Sequence, residues 1–321
     1  MTLPVGRRLF LNAQAGFPAG EEFVLQQHFR PYARVLEEQG FSVVADLPDD
    51  PGSFSAAFVL LPKNAVEARY DVARALLFLK PGGVLACAGA NDAGGKRADA
   101  MLQEFGLKDV RHDSGNKARV AWGIKDGVGG EALRALDEGS SRFVPETGFV
   151  SQPGIFSWDR IDTGSQILGR HLPTDLMGLG ADFGCGYGYL SRQVLETCKN
   201  ISSLSCLDAD ARAVLFCKKN LYDIRGDISV RFMWEDLTQS VSGLRYLDWI
   251  VMNPPFHEGK KTDSDIGLQF IRTAHESLKV GGHLWMVANV GLPYEKFLGE
   301  IFSESEKIYE GDGYKVLRGW K

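Results

Sequence analysis

A stretch of seven residues occurs twice in this chain, as Leu79-Lys80-Pro81-Gly82-Gly83-Val84-Leu85 and as Leu278-Lys279-Val280-Gly281-Gly282-His283-Leu284. Each copy follows a helical segment and opens a buried-looking strand, which ends near an asparagine, Asn91 or Asn289. Upstream of each lies an apolar strand ending in proline, Phe58-Val59-Leu60-Leu61-Pro62 and Trp249-Ile250-Val251-Met252-Asn253-Pro254. Downstream, Gly115-Asn116-Lys117-Ala118-Arg119-Val120-Ala121-Trp122 echoes Gly313-Tyr314-Lys315-Val316-Leu317-Arg318-Gly319-Trp320. Matches in the same order point to a duplicated domain rather than to a generic αβ turn. In both halves strands alternate with helical patterns, so each is expected to form a mostly parallel sheet covered on both faces. The fold class is therefore α/β, with two tandem Rossmann-like domains. Between Lys125 and Pro153 glycine and serine gather around one short helical run, Glu131 to Asp137. That places a first domain at residues 1–125, a linker at 126–152 and a second domain at 153–321.

Composition narrows the class further. With 44% hydrophobic and 24% charged residues, the chain reads as soluble and globular. No apolar run approaches the roughly 20 residues that cross a bilayer, and Arg7-Arg8 precede only Leu9-Phe10-Leu11, too little for a signal-peptide core. The cysteines are Cys87, Cys185, Cys198, Cys206 and Cys217. They form no CxxC pair and no zinc spacing, so reduced thiols, no metal, and a cytoplasmic protein are expected. A net charge of −5 means that any RNA partner must be gripped by a local basic patch.

The second half carries the chemistry. Leu179 to Phe183 reads as a buried strand that runs into Gly184-Cys185-Gly186-Tyr187-Gly188, with a helix following from about Tyr189 to Cys198. Glycines there let the backbone turn sharply and approach a ligand at the strand's carboxyl end. A dinucleotide fingerprint wants Gly or Ala at the sixth position, where Tyr189 stands. The acid before the turn, Asp182, fits S-adenosylmethionine better, since acid and turn together can hold its amino-acid part. Asp208 ends the next apolar strand, about 20 residues after the last glycine, where an acid accepts hydrogen bonds from ribose hydroxyls. Asp210 is better placed than Asp208 to cap the helix from Ala211. Asp236 follows the strand Ile228 to Met233 and is either an adenine contact or a solvated turn acid.

The strand Asp248 to Met252 delivers Asn253-Pro254-Pro255-Phe256 to the same sheet edge. An amide or nucleobase amine has its lone pair tied up in a π system. Fixed acceptors that draw its N–H bonds push the nitrogen toward tetrahedral geometry, a role suited to the Asn253 side chain and the Pro254 carbonyl. Phe256 is suited to stacking on the flat group. Lys260 and Lys261 follow and are either phosphate contacts or a solvated charge pair.

On these residues the chain resembles the bacterial ribosomal RNA guanine-N2 methyltransferases, tandem-domain enzymes of the small subunit with a large-subunit sister group. Beyond the motifs above, the resemblance rests on Pro153-Gly154-Ile155-Phe156-Ser157, Asp162-Thr163-Gly164-Ser165, VGGHLWMVAN and Leu292-Pro293-Tyr294. In the first half it rests on Leu61-Pro62-Lys63 and the glycine-rich Gly89 to Lys96. It implies two class I methyltransferase domains, the N-terminal one degenerate and serving RNA binding or folding rather than cofactor. It also implies S-adenosylmethionine held by Asp182, Gly184, Gly186, Gly188, Asp208 and Asp236, with Phe156 and Asp162 nearby. The target-amine pocket maps to Asn253, Pro254 and Phe256. Leu61-Pro62-Lys63 stands where the second half has NPPF, in keeping with a retired first copy. The expected activity is methylation of a guanine N2 in ribosomal RNA, small subunit favoured, by a monomer that meets RNA or a ribosomal subunit. A glutamine-amide methyltransferase of a translation factor and a non-catalytic ribosome-assembly protein remain the other readings.

Overall fold

The computed structural model describes residues 4–17, 20, 22–255 and 261–321, with the backbone alone over 261–264. The chain divides into two compact units, Met1–Arg142 with Gln152–Gly154 and Phe143–Ser151 with Ile155–Lys321.

The first unit runs β1 (Arg8–Leu11), β2 (Phe23–Gln26), α1 (Arg30–Glu38), β3 (Val43–Val44), β4 (Phe54–Leu60), α2 (Ala65–Phe78) and β5 (Leu79–Ala90). It continues with α3 (Ala98–Glu104), β6 (Lys108–Gly115), β7 (Ala118–Ile124) and α4 (Gly130–Gly139). The second opens with the strands β8 (Arg142–Val144) and β9 (Phe149–Ser151), then α5 (Thr163–His171), β10 (Met177–Phe183), α6 (Tyr189–Thr197), β11 (Asn200–Asp208) and α7 (Ala211–Leu221). After these come β12 (Ser229–Trp234), β13 (Leu247–Met252), α8 (Lys261–Ser277), β14 (Leu278–Asn289), α9 (Tyr294–Ile301), β15 (Glu304–Gly311) and β16 (Tyr314–Trp320). The segment 126–152, expected as a linker, thus carries a helix and two short strands. The helix α4 packs on α2 through Ala132 and Ala135 of the first core.

The two large sheets have one plan. Their orders are β3-β2-β1-β4-β5-β7-β6 and β12-β11-β10-β13-β14-β16-β15, parallel until the final hairpin. Each therefore reverses direction of strand addition between its first and fourth strands, the crevice where open α/β sheets take ligands. Strands buried on both faces need apolar residues at every position. In β13 the alternate residues Ile250 and Met252 enter one core, while Trp249 and Val251 enter the other. The duplicated Gly-Gly has a physical cause. Gly82 and Gly281 sit at φ 76° and 78°, and a Cβ on Gly282 would lie 2.8 Å from the Leu247 carbonyl oxygen.

Register refines the repeat. Phe54 pairs with Leu79 as Leu247 pairs with Leu278, and Val59 with Cys87 as Met252 with Met286. Those pairings put Leu60, one residue before the expected Leu61, at the place of Asn253. The closing hairpins also differ from the sequence match. Gly115 pairs with Ala118 and Gly311 with Tyr314, so Ala118 is the counterpart of Tyr314 and the two tryptophans do not correspond. A shift of two residues keeps the same face toward the core, which is why the sequence match looked convincing.

Candidate active site

The site lies at the carboxyl ends of β10 and β13. After Phe183 the chain bends through Gly184, Gly186 and Gly188, at φ 75°, 53° and 100°, into α6. Left-handed backbone of this kind favours glycine. The backbone N–H groups of Gly184 and Cys185 both donate to the Leu207 carbonyl, at 2.8 and 2.9 Å. Asn220 on α7 braces the turn from behind, its amide nitrogen donating to the carbonyls of Tyr187 and Val150 at 2.8 and 2.9 Å. The Tyr187 hydroxyl donates to the Arg160 carbonyl at 3.0 Å, which fixes the segment from Phe156 to Asp162 beside the glycines.

Three of the expected acids occupy distinct places. Asp182 is wholly buried under the turn. Its Oδ2 accepts from the Ser191 hydroxyl at 2.6 Å, while its buried Oδ1 has no partner. Burial pushes this carboxyl up to about 7, against the pull of the Ser191 hydrogen bond. Asp208 clamps the turn, accepting from the Gly186 N–H at 2.8 Å on one oxygen and from the Asp210 N–H at 2.9 Å on the other. Burial raises it to about 6, and each oxygen keeps a second lone pair for a ribose hydroxyl. Asp210 caps α7 as its position predicts. Asp236 is buried and accepts from the backbone N–H and hydroxyl of Thr238 at 3.0 and 2.5 Å. Its assignment to adenine rests on the resemblance.

A cleft brings together Phe156, Asp162, Gly184, Gly186 and Asn253. Phe156 is 63% exposed at this cleft. Asp162 caps α5, its Oδ2 accepting from the Ser165 N–H at 2.8 Å. The same oxygen accepts from the Asn253 side-chain nitrogen at 2.8 Å, and Ser165 Oγ accepts from that nitrogen at 2.9 Å. Asn253 Oδ1 is buried and has no partner. Pro254 is buried beside it. Phe256 and Lys260 lie outside the described residues, as does the side chain of Lys261. Sequence reasoning did not single out Ser165 or Ser191. Ser165 stands three residues after a helix-capping acid, a spacing that marks helix starts, whereas nothing local marks Ser191 as a partner of Asp182.

These residues fit S-adenosylmethionine. The unpartnered Asp182 oxygen suits an ammonium, and a Cβ placed on Gly186 would meet nothing within 4 Å, so its backbone faces open space. Among the described residues no group of His, Cys, Asp and Glu is arranged to hold a metal ion, and no helix is long and apolar enough to cross a membrane. Fold and site together define a class I S-adenosylmethionine-dependent methyltransferase.

Comparison with known proteins narrows this. The methyltransferase small domain model matches residues 146–318 and its N-terminal companion residues 19–126. The ribosomal RNA small subunit methyltransferase C of Erwinia tasmaniensis is 30% identical, over 92% of this chain and 84% of its own length. That of Pseudomonas paraeruginosa is 34% identical, over 83% and 79%. The chain belongs to this family of tandem-domain methyltransferases. A solved T. thermophilus 16S rRNA N2 G1207 methyltransferase, in complex with AdoMet and guanosine, shares the fold with a TM-score of 0.80. It is 22% identical, over 100% of this chain and 90% of that one.

Proposed function

We propose that the second unit transfers a methyl group to the exocyclic N2 amine of a guanine in small-subunit ribosomal RNA. The observation that carries this reading is the Asn253 amide, with both N–H bonds engaged and its buried oxygen left without a partner. An acceptor fixed in that way draws one N–H of a conjugated amine and favours the pyramidal nitrogen of the transition state over the flat ground state. S-adenosylmethionine, when bound, supplies an electrophilic methyl on a sulfonium. The chain's own residues then have three tasks. Asp182 and the glycine turn seat the cofactor's amino-acid end, Asp208 seats its ribose, and Asn253 aligns the amine. No base from the chain is needed, because a methylated aryl ammonium gives up its extra proton to water readily. The target base must be unstacked to enter the cleft, at a cost of roughly a few kcal/mol when it starts in a duplex.

The small subunit is supported by relatives named as small-subunit ribosomal RNA methyltransferases, and guanine N2 by the similarly folded N2 G1207 enzyme solved with guanosine. The first unit, whose equivalent crevice holds no glycine-rich turn, serves RNA binding or folding in this reading. The test is to incubate the protein and labelled S-adenosylmethionine with undermodified small subunits, large subunits, naked ribosomal RNA and a release factor. N2-methylguanosine in the small-subunit RNA is the expected product. Label on the release factor alone would replace this reading with amide methylation.

A further inference from the structure

An amide side chain has two edges of nearly the same shape, and only its partners decide which edge faces a substrate. At Asn253 that choice is made by Asp162 and Ser165. We propose that Asp162, assisted by Ser165, is the positioning residue of methyl transfer. It sets which atom of Asn253 meets the amine and strengthens that atom as an acceptor. The proposal rests on the reading of Asn253 given above, and it gives Asp162 a role other than cofactor contact.

The geometry carries it in three steps. Asp162 Oδ2 lies 2.8 Å from the Asn253 nitrogen. Rotating the amide by half a turn would set its oxygen at that distance from a carboxylate oxygen, with no proton between them. Ser165 Oγ, 2.9 Å from the same nitrogen, takes the second N–H, so both donors are accounted for and Oδ1 alone is left for the cleft. A hydrogen bond to an ionised acceptor also polarises the amide, shifting electron density toward its oxygen. That is the direction in which an acceptor of a developing positive N–H improves.

The carboxylate itself is held firmly. Asp162 is the N-cap of α5, and its Oδ2 accepts from the Ser165 backbone at 2.8 Å. Negative charge is favoured at a helix N-terminus, so the start of α5 is a rigid platform beside the carboxyl end of β13. One oxygen thereby joins the helix to the catalytic amide. A substitution at Asp162 should be felt through Asn253, and hardly at all by the cofactor.

Asp162→Asn is the informative variant, because asparagine caps a helix about as well as aspartate and the chain should still fold. The first readout needs neither cofactor nor substrate. In a heteronuclear amide correlation spectrum of the full chain, the Asn253 side-chain pair is assigned by its loss in Asn253→Ala. Asp162→Asn should move that pair upfield and broaden it as the amide begins to flip. The second readout is turnover on undermodified small subunits. Asp162→Asn should lower kcat about 10- to 100-fold, and Ser165→Ala by less, with the affinity for S-adenosylmethionine held within about twofold. In an Asn253→Ala background, Asp162→Asn should cost nothing more, because the residue acts through the amide. An unmoved Asn253 resonance, additive losses, or cofactor affinity falling in step with kcat would each overturn the proposal. If the unaltered chain methylates no RNA, the guanine reading fails, while the amide spectrum still decides the role of Asp162.

Discussion

The two units place the same strands around the same crevice and fill it differently. In the second, β10 ends at Gly184-Cys185-Gly186-Tyr187-Gly188; in the first, β1 ends at Asn12-Ala13-Gln14-Ala15-Gly16. The backbone path is shared, since Asn12 and Gly16 stand at φ 55° and 101° where Gly184 and Gly188 stand at 75° and 100°. Ala13 donates to the Gln26 carbonyl at 3.0 Å, as Cys185 does to that of Leu207. What differs is the side chains. Asn12 reaches into the crevice and donates to the Leu60 carbonyl at 3.1 Å and to the buried Asp71 at 2.8 Å. A Cβ on Gly184 would stand 3.7 Å from the carbonyl oxygen of Asn253, the counterpart of Leu60, so the space that glycine leaves open is the space the Asn12 side chain occupies. Phe10 holds the place of Asp182 and packs on Phe58 and Phe17. Gln27 holds that of Asp208 and donates to the Ala13 carbonyl at 2.8 Å. A sheet plan survives such replacement because its strands are specified by buried apolar residues, whereas the site consists of a few loop side chains and the space between them.

The contrast can be broken most sharply at Asn253. Replacing it with alanine should lower kcat by about two to three orders of magnitude, the scale of removing one preorganised polar group from a transition state. Cofactor affinity should stay unchanged. Turnover that survived would move the chemistry away from this amide.

A smaller effect sharpens the comparison of the two turns. Gly186→Ala introduces a Cβ that meets no protein atom within 4 Å, and φ 53° costs alanine only about 1–2 kcal/mol. Stability should therefore fall by no more than that amount, while cofactor affinity weakens about 10- to 100-fold, the range of forcing extra volume into a fitted space. Gly16→Ala in the first unit, also with open space around it, should leave that affinity where it was. Calorimetric titration of both variants decides the matter.

The smallest of these effects is in pH. Asp182 titrates near 7, far above its ordinary 3.8, because of burial, and only its ionised form pairs with an ammonium. Affinity for S-adenosylmethionine should rise toward about pH 7, by up to about tenfold per unit on the acid side, and fall again above about 8 as the cofactor's own ammonium loses its proton. For the cofactor-free chain the sign is opposite. The native state holds this proton more tightly than the unfolded one, so the contribution of Asp182 to stability falls as pH rises from about 4 to about 7. Asp182→Asn should remove the part of both profiles centred near 7 and leave the part from Asp208, which burial raises to about 6, as measured by titration and by thermal unfolding.

Much of this was legible in the residues. The glycine turn, the acids ending β10 and β11 and the Asn-Pro-Pro after β13 are local patterns, each a consequence of where a strand stops and what backbone the stop requires. The duplicated Lys-x-Gly-Gly was legible for the same reason. The counterpart turn at Asn12 was not, because asparagine tolerates left-handed backbone and so keeps the shape after the glycine signature has gone. The sequence sets Leu61 against Asn253, one residue past the true counterpart Leu60, since a run of apolar residues carries no internal marker of position. The Asp162–Asn253 bond joins residues far apart in sequence, and no pattern along the chain announces it.

Counting S-adenosylmethionine molecules per chain by equilibrium titration tests the contrast between the units most directly. The account predicts one, lost on Asp182→Ala and retained on Asn12→Gly, which removes the side chain from the first crevice without straining its backbone. Two sites in the unaltered chain, or one site that survives Asp182→Ala and disappears on Asn12→Gly, would contradict it.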